Sequence, residues 1–64
     1  MAEQQPALLT IEGVEARTGI PVRQIRVLTT NGTGPPSVRL GKRRWWRAAD
    51  VDAWIDETFA QDSH

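Results

Sequence analysis

The chain has 64 residues, of which eight are basic (Lys and Arg) and eight are acidic, so its formal net charge at neutral pH is zero. So short a chain forms one domain with a small core, and because it has no cysteine, neither disulfides nor a thiolate metal site can stabilise it. Its longest apolar runs span two or three residues, which excludes a membrane-spanning helix. Net neutrality by itself argues against a nucleic-acid partner, since nucleic-acid-binding domains are usually basic.

The side chains that usually carry catalysis are scarce. The one histidine, His64, is the last residue, and the chain has neither cysteine nor tyrosine. A Ser or Thr nucleophile would therefore lack a positioned base, and the carboxylates are scattered, so we expect no enzymatic activity, no metal and no cofactor. The first residues lack the basic region and apolar stretch of a secretory signal, and a chain without cysteine or export signal is expected in the cytoplasm.

The positions of the charges change the meaning of the neutral total. All eight basic residues lie between Arg17 and Arg47, and that stretch contains no Asp or Glu. Three acidic residues precede it and five follow it. A block of eight positive charges creates a field that attracts polyanions, so nucleic acid becomes the expected partner. We expect the acidic residues of the flanking helices to point away from that partner.

The first predicted helix begins after Thr10, a good N-cap residue, and runs to about Arg17. Gly19 is expected to end it, because glycine adopts the left-handed conformation without steric cost. A second helix starts with Pro21 at its first position and continues to Thr30. Two short helices joined by a glycine turn form a helix-turn-helix.

The second predicted helix has one apolar and one polar face. Ile25 and Leu28 are spaced to point inward. The side chains expected on the outer face, with Gln24 at its margin, are Arg23, Arg26, Val27 and Thr30.

Residues 31–36, Asn-Gly-Thr-Gly-Pro-Pro, interrupt any helix. After them, Ser37–Leu40 alternates apolar and polar residues as a strand does, Gly41–Arg44 is a basic turn, and Trp45–Arg47 resumes as a strand. This pattern predicts a β-hairpin with a cationic tip. Residues 48 to about 59 then predict a third, amphipathic helix, with Val51, Trp54, Ile55 and Phe59 as its apolar residues.

The three tryptophans have different expected environments. Trp54 lies on the apolar face of the last helix and is expected in the core. Trp45 and Trp46 are consecutive in a strand, so they point to opposite faces, and we expect Trp46 inward and Trp45 outward.

The predicted fold is an α+β winged helix-turn-helix with the element order α-α-β-β-α, covering residues 8–59 between flexible tails at 1–7 and 60–64. In such a fold the second helix can enter the major groove of DNA while the hairpin reaches the neighbouring backbone or minor groove. Arg23 and Gln24, near the start of that helix, are candidates for base contacts. Candidates for phosphate or minor-groove contacts are Arg26, Thr30, Arg39, Lys42, Arg43 and Arg44.

Three stretches carry a resemblance to a known family. They are LLTIEGVEARTGIPVRQIR, GTGPPSVRLGKRRWWR and DVDAWI, which together cover most of residues 8–57. They resemble the small excisionases and AlpA-like proteins, which have MerR-type winged helices. The sequence departs from that pattern at Glu15, where the family often has alanine, and at Arg44-Trp45, where an apolar residue followed by a basic one is more usual.

The resemblance implies a cytoplasmic protein that binds double-stranded DNA. As an excisionase, or recombination directionality factor, it would bind and bend attachment-site DNA beside further copies of itself and direct an integrase toward excision. The alternative within the family is a small AlpA-like transcriptional regulator. The effector domain of full MerR regulators is not seen in this chain, so no small-molecule effector is expected. From another class, the alternative is a protein-interaction module whose basic hairpin and Trp45 bind an acidic partner.

Overall fold

The computed structural model describes residues 8–62 and forms a small α+β domain with three helices and a three-stranded antiparallel sheet. Residues 1–7, where we expected a flexible tail, and residues 63–64, which include His64, lie outside the described residues. The elements in chain order are β1 (Leu8–Leu9), α1 (Ile11–Thr18), α2 (Val22–Asn31), β2 (Ser37–Leu40), β3 (Arg43–Arg47) and α3 (Ala48–Asp62).

The corner between α1 and α2 is fixed by local hydrogen bonds. The Thr10 hydroxyl accepts a bond of 3.1 Å from the Gly13 N–H, which confirms the predicted N-cap. Gly19 has φ of 81° and its N–H donates to the Glu15 carbonyl at 2.7 Å, which ends α1 as expected. Pro21 is the N-cap residue of α2, and its φ of −61° and ψ of 148° are extended and not helical. The helix therefore begins at Val22, one residue later than predicted. The corner sets the direction in which α2 leaves α1.

The end of α2 explains why the chain needs glycine there. Gly32 has φ of 75°, and the N–H groups of Thr33 and Gly34 both donate to the Leu28 carbonyl, at 3.0 and 3.1 Å. A Cβ atom on Gly34 would lie 3.0 Å from the Leu28 Cβ, so any larger residue would push the loop away from the helix. The chain therefore turns tightly from α2 toward β2.

The sheet has the order β1-β3-β2, with β3 in the centre. Trp46 pairs with Leu9 of β1 on one side and with Ser37 of β2 on the other. We did not predict β1, because a two-residue strand shows no alternation and exists only through its pairing with β3.

Four side chains are buried at the centre of the domain, each from a different element: Val14, Ile25, Trp46 and Val51. Leu9, Ile11, Ile20 and Ile55 pack around them and are half-buried. Trp46 is only 2% exposed, and the neighbouring Trp45 lies half-buried on the other face of the sheet, as the alternation predicted.

The hairpin turn is shorter than we expected. Leu40 pairs directly with Arg43, so only Gly41 and Lys42 form the turn, and Arg43 and Arg44 belong to β3. Gly41 has φ of 64°, which fits the first position of a two-residue type II′ turn. The prediction of a four-residue cationic tip was therefore wrong for Arg43 and Arg44, which take alternate faces of the strand.

Helix α3 differs from its prediction in two side chains and at its end. Trp54 is half-buried and outside the core; its indole N–H donates to the Thr33 carbonyl at 3.0 Å, so it covers the loop after α2. Phe59 is 72% exposed, although its spacing placed it on the apolar face. The helix continues through Asp62, so residues 60–62 are helical where we expected a flexible tail. No helix within residues 8–62 combines the length and apolarity needed to cross a membrane.

Arg17 of α1 and Asp52 of α3 form a two-fold hydrogen-bonded ion pair. Arg17 Nε donates to Asp52 Oδ1 and Arg17 Nη2 donates to Asp52 Oδ2, both at 2.8 Å. These hydrogen bonds hold the pKa of Asp52 below its ordinary value and raise the pKa of Arg17 above its own. The pair links α1 to α3 through two residues that are 35 positions apart in sequence.

The lowered pKa predicts how the pair responds to acid. Asp52 binds a proton less readily in the folded than in the unfolded chain, so its stabilisation is complete above about pH 4 and is lost as the pH falls through the lowered pKa. Asp52→Asn should slightly lower the free energy of unfolding at pH 7, as expected for an exposed pair, and should make the loss of stability in acid less steep. Urea unfolding across this pH range measures both effects; an unchanged acid profile would contradict this role of the pair.

Candidate nucleic-acid interface

A groove of about 590 Å³ runs between the start of α1, the second half of α2 and the β2–β3 hairpin. We call it the basic groove, because five of its lining residues are basic and one is acidic. Its lining residues are Thr10, Ile11, Glu12, Arg26, Thr29, Thr30, Arg39, Lys42, Arg43, Arg44 and Trp46.

The structure divides the basic residues into two groups. Arg17 is paired with Asp52, and Arg47 Nε donates to Asp50 Oδ2 at 2.9 Å. Within residues 8–62, no carboxylate forms a salt bridge with any of the other six, which are Arg23, Arg26, Arg39, Lys42, Arg43 and Arg44. All six are among the DNA-binding candidates predicted from the sequence. Their charge is therefore available to an external anion.

The candidates on α2 fall into two places. Arg26 and Thr30 are exposed and line the basic groove. Arg23 and Gln24, on the first turn of α2, are exposed as predicted but lie outside that groove. Val27 is 47% exposed, one helical turn after Arg23. The start of α2 thus presents polar side chains suited to base edges, and its second half contributes to the groove.

The candidates on the hairpin meet at a cross-strand pair. Arg39 of β2 and Arg44 of β3 are directly opposite each other, on the face that also carries Trp46. Arg44 is half-buried, and its Nη1 donates to the Ser37 hydroxyl at 2.9 Å. This bond orients the guanidinium without neutralising its charge. Arg43 and Lys42 border the same groove at the turn.

Five lining residues were not among the predicted site residues: Thr10, Ile11, Glu12, Thr29 and Trp46. Glu12 borders the basic groove, which corrects the expectation that the acidic residues of the first helix all point away from it. Thr29 also lines it, although its hydroxyl donates to the Ile25 carbonyl at 2.8 Å. Glu12 lies two residues after the N-cap residue Thr10. Only the packing of α1 beside the hairpin brings it to the groove, and no local pattern signals that packing.

The opposite face of the sheet carries exposed apolar side chains beside Arg43 and Arg47. Leu8, Val38 and Leu40 are 39%, 55% and 53% exposed. The pairing of Val38 with Trp45 places the half-buried tryptophan among them. We call this surface the outer sheet face. It offers apolar contact area, and it adjoins the basic groove at Arg43.

Comparison of the chain with protein-family models, with curated proteins and with solved structures finds no match in any of the three. The residues from 8 to 62 also contain no group of three or more His, Asp or Glu side chains placed to hold a metal ion.

Glu12 gives a direct test of the groove as an anion-binding surface. Glu12→Gln removes a negative charge from the lining, so it should tighten the binding of duplex DNA by about two- to fivefold at low salt, with a smaller gain at higher salt. Fluorescence anisotropy with labelled duplex measures the change. Glu57→Gln is the matched control, since Glu57 is exposed on α3 and does not line the groove. Equal effects of both substitutions would show that only total charge matters.

Proposed function

We propose that this chain is a sequence-specific double-stranded DNA-binding protein with a winged helix-turn-helix architecture. In this proposal α1 and α2 form the helix-turn-helix, α2 enters the major groove, and the β2–β3 hairpin is the wing. The observed element order, the sheet order β1-β3-β2 and the glycine corner between the helices support it.

The observation that carries the proposal is the distribution of charge partners. The two basic residues outside the proposed DNA surface, Arg17 and Arg47, have carboxylate partners. The six on α2 and the hairpin have none within the described part of the chain. A surface that keeps six like charges unneutralised on neighbouring elements suits a polyanion, and the phosphate backbone is the polyanion that dominates protein–DNA affinity.

The contacts divide between base reading and backbone binding. Arg23 and Gln24 on the first turn of α2 can form paired hydrogen bonds with guanine and adenine edges, and the exposed Val27 suits a thymine methyl group. The groove residues Arg26 and Thr30 would contact phosphate. Lys42 and Arg43 at the hairpin turn would reach the neighbouring backbone or minor groove.

The resemblance to excisionases and AlpA-like proteins suggests two biological roles. We propose an excisionase that binds and bends attachment-site DNA and directs an integrase toward excision. The same DNA contacts would serve an AlpA-like transcriptional regulator, which is the alternative. An excision assay with attachment-site DNA and the integrase encoded nearest to this protein distinguishes the two roles.

A second candidate function is a protein-interaction module, and the outer sheet face is the observation that favours it. Leu8, Val38, Leu40 and Trp45 form an apolar surface on the face of the sheet opposite Arg39, Arg44 and Trp46. Tryptophan is frequent at the centre of protein interfaces. This function becomes the better explanation if the protein fails to bind duplex DNA at low salt.

Salt dependence tests the DNA-binding proposal. If five or six of the cations that lack a carboxylate partner within residues 8–62 neutralise phosphates, the logarithm of the association constant should fall against the logarithm of salt concentration with a slope of roughly −4.5 to −5.5. Titration of labelled duplex at several salt concentrations gives the slope. Weak binding at low salt on every duplex tried would contradict the proposal.

Two variants show which basic residues contribute to the salt dependence. Arg43→Ala should reduce the magnitude of the slope by about one and weaken binding on all sequences alike. Arg47→Ala removes the same charge from β3, but Arg47 is already paired with Asp50, so its slope should match that of the wild type. If the two variants behaved identically, the hairpin turn would not be the DNA-contacting part.

A further inference from the structure

We infer that Arg26, Arg39 and Arg44 form a discrete phosphate-binding site, and that its occupancy stabilises the hairpin. This inference rests on the proposed function and specifies one site within the basic groove. The three arginines come from α2, β2 and β3, and all of them line the groove.

Two positive charges stand opposite each other in the hairpin. Arg39 and Arg44 are direct cross-strand partners on the same face of the sheet. Like charges in that position destabilise a strand pair, because their Cβ atoms are only about 5 Å apart. The hairpin thus carries a repulsion that an anion between the two guanidinium groups would convert into attraction.

The guanidinium of Arg44 is partly shielded from water. This side chain is half-buried, and within residues 8–62 its hydrogen-bond partner is the neutral Ser37 hydroxyl, with no carboxylate in a salt bridge. Charged groups that lose part of their hydration are normally paired. Ser37 holds the guanidinium in place in advance, so binding an anion costs little ordering.

The donors of the three arginines suit a phosphate group. Guanidinium groups present pairs of N–H donors in a fixed plane that match the oxygens of a phosphate group. Trp46, which is 2% exposed, also lines this groove, and its Nε1 has no hydrogen-bond acceptor among the described residues. The N–H groups of the three arginines have no carboxylate acceptor in a salt bridge within residues 8–62, and phosphate oxygens can supply acceptors for them. The phosphate could belong to DNA or to a free anion.

Thermal unfolding of the full chain in sodium phosphate and in sodium chloride at equal ionic strength tests the inference. At a phosphate concentration of about three times Kd, the melting temperature should rise by about 3–6 °C. Phosphate also stabilises proteins in general by exclusion from their surface, so variants are needed to isolate the specific part. Arg39→Gln should raise the melting temperature in chloride, because the repulsion is removed, and should lose the specific increment. Arg47→Gln, the same change on the other face of the sheet, should keep it.

The tryptophan indole N–H signals give a second readout by NMR. The Trp46 signal should move on phosphate addition, whereas the signal of Trp54, which is bonded to Thr33 and does not line the groove, should stay in place. Equal phosphate increments in all three proteins, or an unmoved Trp46 signal, would overturn the inference.

A duplex DNA arm separates this inference from the proposed function. An Arg39-dependent phosphate increment in a protein that does not bind duplex would establish the site for small phosphate anions and overturn the DNA-binding proposal. Duplex binding without any Arg39-dependent increment would overturn the phosphate site and leave the DNA-binding proposal standing.

Discussion

The placement of Trp46 in the central strand decides where the basic side chains of the hairpin lie. Trp46 belongs to β3, which lies between β1 and β2. Its side chain is buried and packs with Val14, Ile25 and Val51. Because successive side chains of a strand alternate between faces, an inward Trp46 makes Arg44 inward and Trp45 outward. A slip of one residue would bury Trp45 and move Arg44 to the outer sheet face. The register therefore fixes both the basic groove and the apolar surface opposite to it.

The net charge is zero, but among residues 8–62 the basic side chains divide into those that have a carboxylate partner and those that have none. Two ion pairs neutralise the basic residues that face acidic helices, and one of them links α1 to α3. The remaining basic side chains gather on α2 and the hairpin, where Arg39 and Arg44 stand opposite each other. Local stability does not explain that cross-strand pair, since like charges in that position repel. A surface that binds phosphate gives a reason for keeping it.

The sequence was a good guide wherever a local rule decided the structure. Thr10, Gly19 and the breaker at residues 31–36 marked the helix ends because capping and left-handed glycine depend on neighbouring residues only. The outward direction of Arg23 and Arg26 followed from helical spacing.

Most of the features that sequence reasoning missed depend on tertiary structure. The strand β1 exists only through its pairing with β3. Trp54 shares the helical spacing of a core residue, but the loop at Thr33 determines its position. Arg44 was predicted in a four-residue turn, whereas the turn has two residues and Arg44 lies in β3. Glu12 reaches the groove through the packing of α1.

We propose that the exposed side of α2 and the basic groove together form the DNA-binding surface. Chemical-shift mapping of the isotope-labelled protein on titration with duplex DNA tests it most directly. The account predicts the largest changes at Arg23, Gln24 and Arg26 and around the hairpin turn, with residues 56–62 of α3 unaffected. Changes concentrated at Leu8, Val38, Leu40 and Trp45 on the outer sheet face, with α2 unaffected, would contradict it.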